Sequence, residues 1–488
     1  MEMLAAAILL MSLRALPTDI DATVDVRAMS PAPAIWVASW KPVAEDLKYV
    51  TPMVWLDGDF RPGQDNVSID PESLAAATKR LPAGRRVIIW YRYFRSFWGI
   101  AGDAVHCSDG TVFAGLWPVV SMPHIKAEWT RFLDLFKYCG GSIDFVVGDC
   151  EDWTRFTNWG INEVQLMCIR DDPRFKQPMF GIDSLSALTS GFEVKDAIRP
   201  QNSAAYLQWN LQIGRFAAAV MNETIWNPAI ARFPGIQGCN YDGKQMLDRP
   251  APELNGHPQP SDNIVGNCAS PVAYGVIAQA ATSWFLDDLD PTRLVKTGSV
   301  RLDQGPWQSF LIDVQLGRAC RRQAPDRSLM PWIAPVTYPG DVVGTVGYPK
   351  DPRCWDEMIR HYALLGTSVF LWWNPTSVPI PVGSPILIKD LGAQGERLDR
   401  VLEDINRNTG GRVARTAACP PISFSASVVV TGALGNDGKF VWRVSAPPGT
   451  TALRDQATDR IYPLQSGELG VWLHTSTSTP PDLVLATH

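Results

Sequence analysis

The stretch SIDFVVGDCEDW, residues 142 to 153, holds the densest chemistry in the chain. An apolar run from Ile143 to Val147 meets a glycine and then delivers Asp149, Cys150, Glu151, Asp152 and Trp153. Charge at the end of a buried strand is costly unless it is paired or used. Successive strand side chains alternate faces, so Val147, Asp149 and Glu151 share one face, the two acidic Cα atoms about 6–7 Å apart. Two carboxylates held that close push their pKa values apart, and one stays protonated near neutral pH. A protonated Glu151 beside an ionised Asp149 gives glycosidic bond cleavage its general acid and electrostatic partner. The competing reading makes DCED an acidic first turn, with Asp149 and Asp152 capping the next helix and forming salt bridges.

Seven further apolar runs end in polar or aromatic side chains. The run at 34–40 ends in Trp40, 51–57 in Asp57, and 86–92 in Tyr91 and Arg92 with Tyr93 beyond. The run at 177–183 ends in Asp183, 235–242 in Tyr241 and Asp242, and 330–336 leads to Tyr338 and Asp341. The last, 368–374, brings Trp372, Trp373 and Asn374. Carboxylates interleaved with aromatic rings and Arg side chains at one end of a sheet describe a polar cleft with stacking walls, which suits a carbohydrate. Arg92 could clamp a sulfate or carboxylate, extending the expected partners from neutral to anionic polysaccharides or oligosaccharides. Its pairing with Asp57 or Asp149 is the equal alternative. Trp98 and Trp117, in the long segment after the third run, are candidate subsite walls or plain core.

In residues 144 to 151 the frame Asp144, Val147, Asp149, Glu151 resembles the DxxDxDxE motif of glycoside hydrolase family 18, the chitinase-like enzymes, with Val147 replacing the second acid. CNYD, with Tyr241 and Asp242, is similar to that family's MxYD, Cys239 standing for Met. Trp372 or Trp373 matches its floor tryptophan. The resemblance covers about two dozen residues and fits a glycoside hydrolase superfamily barrel better than membership of that one family. It implies Glu151 as acid/base, Asp149 orienting a substrate N-acetyl group and Tyr241 holding developing charge, although Val147 breaks that chain of acids. A retaining double displacement would instead need a second carboxylate about 5–5.5 Å from the acid. Asp242 is preferred, then Asp341, then Asp183.

These residues need a scaffold. Helical patterns at 71–81, 125–139, 160–170, 202–222, 271–288, 307–322 and 352–366 alternate with the eight runs. That order predicts βαβ units and an α/β fold, a (β/α)8 TIM barrel over 30–412, with an open doubly wound sheet as the rival. From 418 to 488, after a helix at about 394–408, apolar and polar residues alternate between Gly/Pro turns, which predicts a small antiparallel β-sandwich. Trp442 and Trp472 are its possible platforms.

Composition narrows the function further. With 488 residues, 46% hydrophobic and 19% charged, the chain can bury a large core. A formal net charge of −6 offers no basic patch for nucleic acid. Nineteen Trp stand out; core packing accounts for most of them, and the remainder could form stacking platforms for sugar rings. Nine Cys without a CxxC pair argue against zinc, and Cys107–Cys139 or Cys239–Cys268 could be disulfides. No nucleotide-binding glycine motif, GxSxG or His ligand spacing occurs, so neither cofactor nor metal is expected. Residues 1–22 read as a signal peptide whose apolar core is too short to span a bilayer, predicting a secreted or periplasmic protein. The sequence thus predicts a polysaccharide-cleaving glycoside hydrolase. A lectin-like carbohydrate-binding barrel, or a polysaccharide lyase or deacetylase, is the alternative.

Overall fold

The computed structural model describes most of residues 34–57, 70–91, 122–149, 221–240, 266–273, 306–334, 351–373 and 388–486, with short stretches at 24–25, 105–113, 168–178, 283–297 and 336–349. Residues 1–23, and with them the expected signal peptide, lie outside it.

The parallel strands, in chain order, are β1 (Trp36–Ser39), β2 (Val50–Pro52), β3 (Val54–Asp57), β4 (Val87–Tyr91), β5 (Phe145–Asp149), β6 (Gln237–Asn240), β7 (Cys268–Ala269), β8 (Val272–Ala273), β9 (Ser328–Leu329), β10 (Trp332–Ile333) and β11 (Val369–Trp372). Hydrogen bonds lead from each to the next. β1 pairs with β2, and Met53 N donates to Ser39 O at 2.8 Å where β2 runs on into β3. β3 pairs with β4, β4 with β5 and β5 with β6. Asn267 N donates to Gly238 O (3.1 Å), linking β6 to the start of β7. β7 and β8 pair with β9 and β10, β10 with β11, and β11 with β1.

The direct β5–β6 pairing corrects the expected strand order. No stave stands between 145–149 and 237–240, so the 235–242 run is the immediate neighbour of the DCED strand, not the next but one. The run expected at 177–183 falls almost wholly outside the described residues. Residues 268–273 take a place in the sheet instead. The helix expected over 271–288 is also corrected, since β8 and a hairpin strand Ser283–Leu286 occupy it. Its aromatic run SWFL lacks the polar face of a surface helix and pairs antiparallel with Leu294–Thr297.

Among the described residues five helices flank the strands and a sixth follows: α1 (Pro71–Lys79), α2 (Met122–Tyr138), α3 (Asn227–Arg232), α4 (Pro306–Gln323), α5 (Pro352–Leu364) and α6 (Ile388–Thr409). α1 is started by Asp70, whose carboxylate accepts from Glu72 N and Ser73 N at 3.1 and 3.0 Å. Alternation separates two cores. Ile88, Val146 and Leu56 pack with Leu74, Trp129, Phe132 and Ala229 of α1, α2 and α3. Val87, Ile89, Phe145, Val147 and Cys239 instead join Trp36 and Trp332. The Trp36 and Phe145 rings meet edge to face at 5.3 Å. Three strand spacings separate β1 from β5, about 14 Å in a flat sheet, so the contact needs a sheet curled steeply towards itself.

The C-terminal part is antiparallel. Its strands are β12 (Val413–Thr416), β13 (Val429–Gly435), β14 (Phe440–Ser445), β15 (Ala452–Asp455), β16 (Ile461–Pro463), β17 (Gly470–Thr475) and β18 (Leu483–Leu485). The short strand Val24–Asp25 pairs with β12 and, with β12–β13–β14–β17, forms one five-stranded sheet; β16–β15–β18 form another. Trp442, expected as a platform, is fully buried, its indole N–H donating to Thr475 Oγ1 at 2.9 Å. It lies against Gly432, where a Cβ would stand 2.1 Å from the ring.

Candidate functional site

The strand register assembles one row at the carboxyl end of the parallel sheet. Asp57 of β3 pairs with Tyr91 of β4, and Tyr91 with Asp149 of β5. The next pairing places Gly148 beside Asn240, the last residue of β6. Three residues that the sequence singles out from distant segments therefore lie side by side. Ile89, two residues before Tyr91, and Val147, two before Asp149, belong to the inner cluster.

Trp40 lies just past the same end of β1, its N–H donating to Trp372 O at 2.8 Å. Its ring is buried and meets Trp332 edge-on at 6.1 Å. Trp373, also at this end, is half-buried, and its N–H donates to Ile333 O at 3.0 Å. Trp372 is not a floor for a ligand. It is fully buried, 6.4 Å from Trp355 on α5, because alternation along β11 turns it towards the helix layer. Glu151, Asp242, Arg92, Tyr93, Trp98, Asp183, Tyr241, Tyr338, Asp341 and Asn374 lie outside the described residues.

The two remaining positions of the acid frame are structural. Asp144 sits at the opposite end of β5, where its carboxylate accepts from Arg86 N at 2.9 Å. Val147 is fully buried among apolar neighbours, which accounts for an apolar side chain there.

The disulfide is Cys107–Cys168, correcting both expected pairings; Cys139, Cys239 and Cys268 are free. Cys139 follows α2, at the far end from Cys107. Cys239 and Cys268 lie in neighbouring staves, fully enclosed, and burial pushes the Cys239 thiol up to about 12. The bond joins the connection leaving β4 to the connection leaving β5, the two that depart from Tyr91 and Asp149. Among the described residues no group of three or more His, Cys, Asp or Glu is placed to hold a metal ion. No described helix is long and apolar enough to cross a membrane.

Sequence reasoning missed a second polar region, a cleft between α6 and the C-terminal sheets. Its signal was present in α6, where Arg397, Arg400, Asp404 and Arg407 recur at helical spacing opposite Leu398, Val401, Leu402 and Ile405.

No family model matches the chain, and no curated protein matches it. Among solved structures, it is similar to a glycoside hydrolase family 36 α-galactosidase variant from Geobacillus stearothermophilus in complex with raffinose, with TM-score 0.34 and 10% identity over 93% of this chain. The chain spans only 55% of that enzyme's length. It is similar to α-galactosidase I from Mortierella vinacea, with TM-score 0.32 and 10% identity over 94% of this chain and 97% of that one. A modular endo-β-1,4-mannanase from Cellulomonas fimi matches with TM-score 0.30 and 12% identity over 94% of each chain. Likeness at this level bears on neither substrate nor mechanism.

Proposed function

We propose that the chain is a glycoside hydrolase acting on a polysaccharide, with its reaction centre at the carboxyl end of the parallel staves. The observation that carries the reading is the Asp57–Tyr91–Asp149 row. The hydrogen-bond path from β1 round to β11 and back supports a closed (β/α)8 barrel, the fold whose active sites sit at this end. The Trp36–Phe145 contact supports closure independently.

In this reading Glu151, two residues beyond Asp149, is the general acid/base. Asp149 tunes its proton affinity. Asp242, two residues beyond Asn240 of the adjoining β6, supplies the second carboxylate of a retaining mechanism. Tyr241 follows Asn240 as Asp149 follows Gly148, so the β5–β6 register favours Tyr241 standing beside Asp149. Trp373, half-buried, supplies aromatic surface beside the row. The Cys107–Cys168 disulfide favours an oxidising compartment, in keeping with export.

A lectin-like barrel is the second reading, favoured by the buried Val147 in place of an acid. Release of reducing ends from a panel of purified polysaccharides separates the two. A hydrolase releases them and loses that activity on Glu151→Gln with its melting temperature unchanged. Glycan binding without release by the wild type selects the lectin, and full activity in Glu151→Gln removes the assignment.

A further inference from the structure

Between α6 and the C-terminal sheets lies a cleft of about 1120 Å³. Its floor is internally neutralised. Arg360 Nε is 2.9 Å from Asp404 Oδ2, Arg443 reaches Glu468 at 3.0 Å, and Arg397 pairs with Asp356 at 2.6 Å. The remaining carboxylates are committed too. Glu403 takes Lys48 Nζ at 3.1 Å, and Asp455 accepts from Ala457 N at 2.8 Å in its own turn.

The rim differs. Arg400, Arg407 and Arg460 are exposed and line the cleft. Arg400 has Glu396 of its own helix at 3.9 Å, with both side chains largely in water, and that contact holds it weakly. Among the described residues, no carboxylate lies within ion-pair distance of Arg407 or Arg460. Arg460 instead rests over the Tyr462 ring at 4.9 Å. Trp472, half-buried in the cleft wall, is fixed in orientation by its indole bond to Asp404 Oδ2 (2.9 Å) and by Arg443 over its ring at 5.2 Å.

Three exposed guanidinia stand here beside two aromatic rings: Arg400 is held only weakly by Glu396, and Arg407 and Arg460 feel Glu403 and Asp455 from beyond ion-pair distance. Guanidinium forks pair bidentately with carboxylates, and indole and phenol faces suit sugar rings. Arg400 and Arg407 are seven residues apart on one helix, about 10 Å along its axis. That spacing fits repeated charges along a chain and not one small anion. We infer that this cleft binds an acidic oligosaccharide, a chain of carboxylate-bearing sugars, through Arg400, Arg407 and Arg460 with Tyr462 and Trp472 as stacking surfaces. It is a site apart from the strand-end row and does not rest on the hydrolase reading.

Calorimetric titration of the full chain with oligogalacturonate tests it, with neutral manno-oligosaccharide, inorganic phosphate and single-stranded DNA as comparison ligands. Oligogalacturonate should bind, weaken with added salt, and bind at least about tenfold more weakly to Arg407→Ser/Arg460→Ser, one charge-assisted pairing being of that order. Tyr462→Ala should weaken it further, and the melting temperature should hold in the double Arg variant. Glu151→Gln should leave this binding unchanged, which separates a failure here from a failure of the proposed activity. Three results overturn the inference: no oligogalacturonate binding by the wild type, undiminished binding by the double Arg variant, or equal or tighter binding of a comparison ligand.

Discussion

Glu357 of α5 and Arg443 of β14, 86 residues apart, form a two-pronged ion pair with Nε 2.7 Å from Oε2, their side chains 1% and 2% exposed. Arg360 adds a bond to the same carboxylate at 2.9 Å and Ser445 Oγ another at 2.6 Å. The pair fastens the antiparallel part of the chain to a helix of the parallel part. From Cys354 to Leu364 α5 is buried, so Asp356, Glu357 and Arg360 must find partners on neighbouring elements.

Removing one partner should therefore cost more than removing both. Glu357→Gln leaves Arg443 with Glu468 and Arg360 with Asp404 as their remaining close carboxylates, and should lower unfolding free energy by up to about 3–5 kcal/mol. Glu357→Leu with Arg443→Met should be less destabilised than either single change. Additive losses in denaturant titrations would refute the coupling.

Acid stability should report on His361. It is buried between Thr431 Oγ1 (2.7 Å) and Ser445 Oγ (2.9 Å), and burial lowers its pKa to about 3 although Glu357 pulls upward. The unfolded chain protonates near the usual value of about 6.5, so between there and pH 3 it holds the extra proton. Stability falls as pH falls through that window, by up to ~1.4 kcal/mol per unit. Asp356, raised to about 6 by burial against the pull of Arg397, acts oppositely between about pH 6 and its ordinary value. Burial pushes Glu357 up, but Arg443 and Arg360 outweigh it and hold the acid at about 2, so its contribution is lost only below about pH 4.5. His361→Gln should flatten the decline between pH 6.5 and 4.5 in melting curves; an unchanged slope would exclude His361 as its source.

The strand-end row predicts a graded loss of activity. Asp149→Asn and Glu151→Gln should each reduce reducing-end release by about 10²–10⁴-fold, the usual worth of a positioned proton-transfer group. Tyr91→Phe should cost less. A Tyr91 variant more damaged than either acid variant would move the chemistry away from the acids.

The Cys107–Cys168 bond closes a loop across 61 residues, which constrains the unfolded chain by about 4 kcal/mol in the chain-entropy account. Cys107→Ser, or reduction with dithiothreitol, should lower the melting temperature. No change on reduction would mean that the bond does not form in solution.

Gly432 faces the buried Trp442 ring too closely for any side chain. Gly432→Ala should destabilise the C-terminal sheets by about 1–3 kcal/mol, the usual range for an overpacked core. Near-UV circular dichroism and melting would reveal an indole that moves at no cost.

Local chemistry made much of this protein legible from its residues alone. Alternation in VIIWY and FVVGD marks strands whose ends carry Tyr91 and Asp149. Asp351-Pro352 marks the start of α5, because a carboxylate cap and a fixed φ act within one turn. Two antiparallel sheets stand where period-two patterning beyond residue 418 placed β structure. What periodicity cannot carry is adjacency. Nothing in either segment says that 145–149 pairs with 237–240, or that a short apolar stretch after Pro271 is a stave instead of a helix. Any of several cysteines could have met Cys107, and any buried arginine could have taken Glu357. Those choices depend on which surfaces the curled sheet brings within a few ångströms, a property of the whole chain that only the tertiary structure decides.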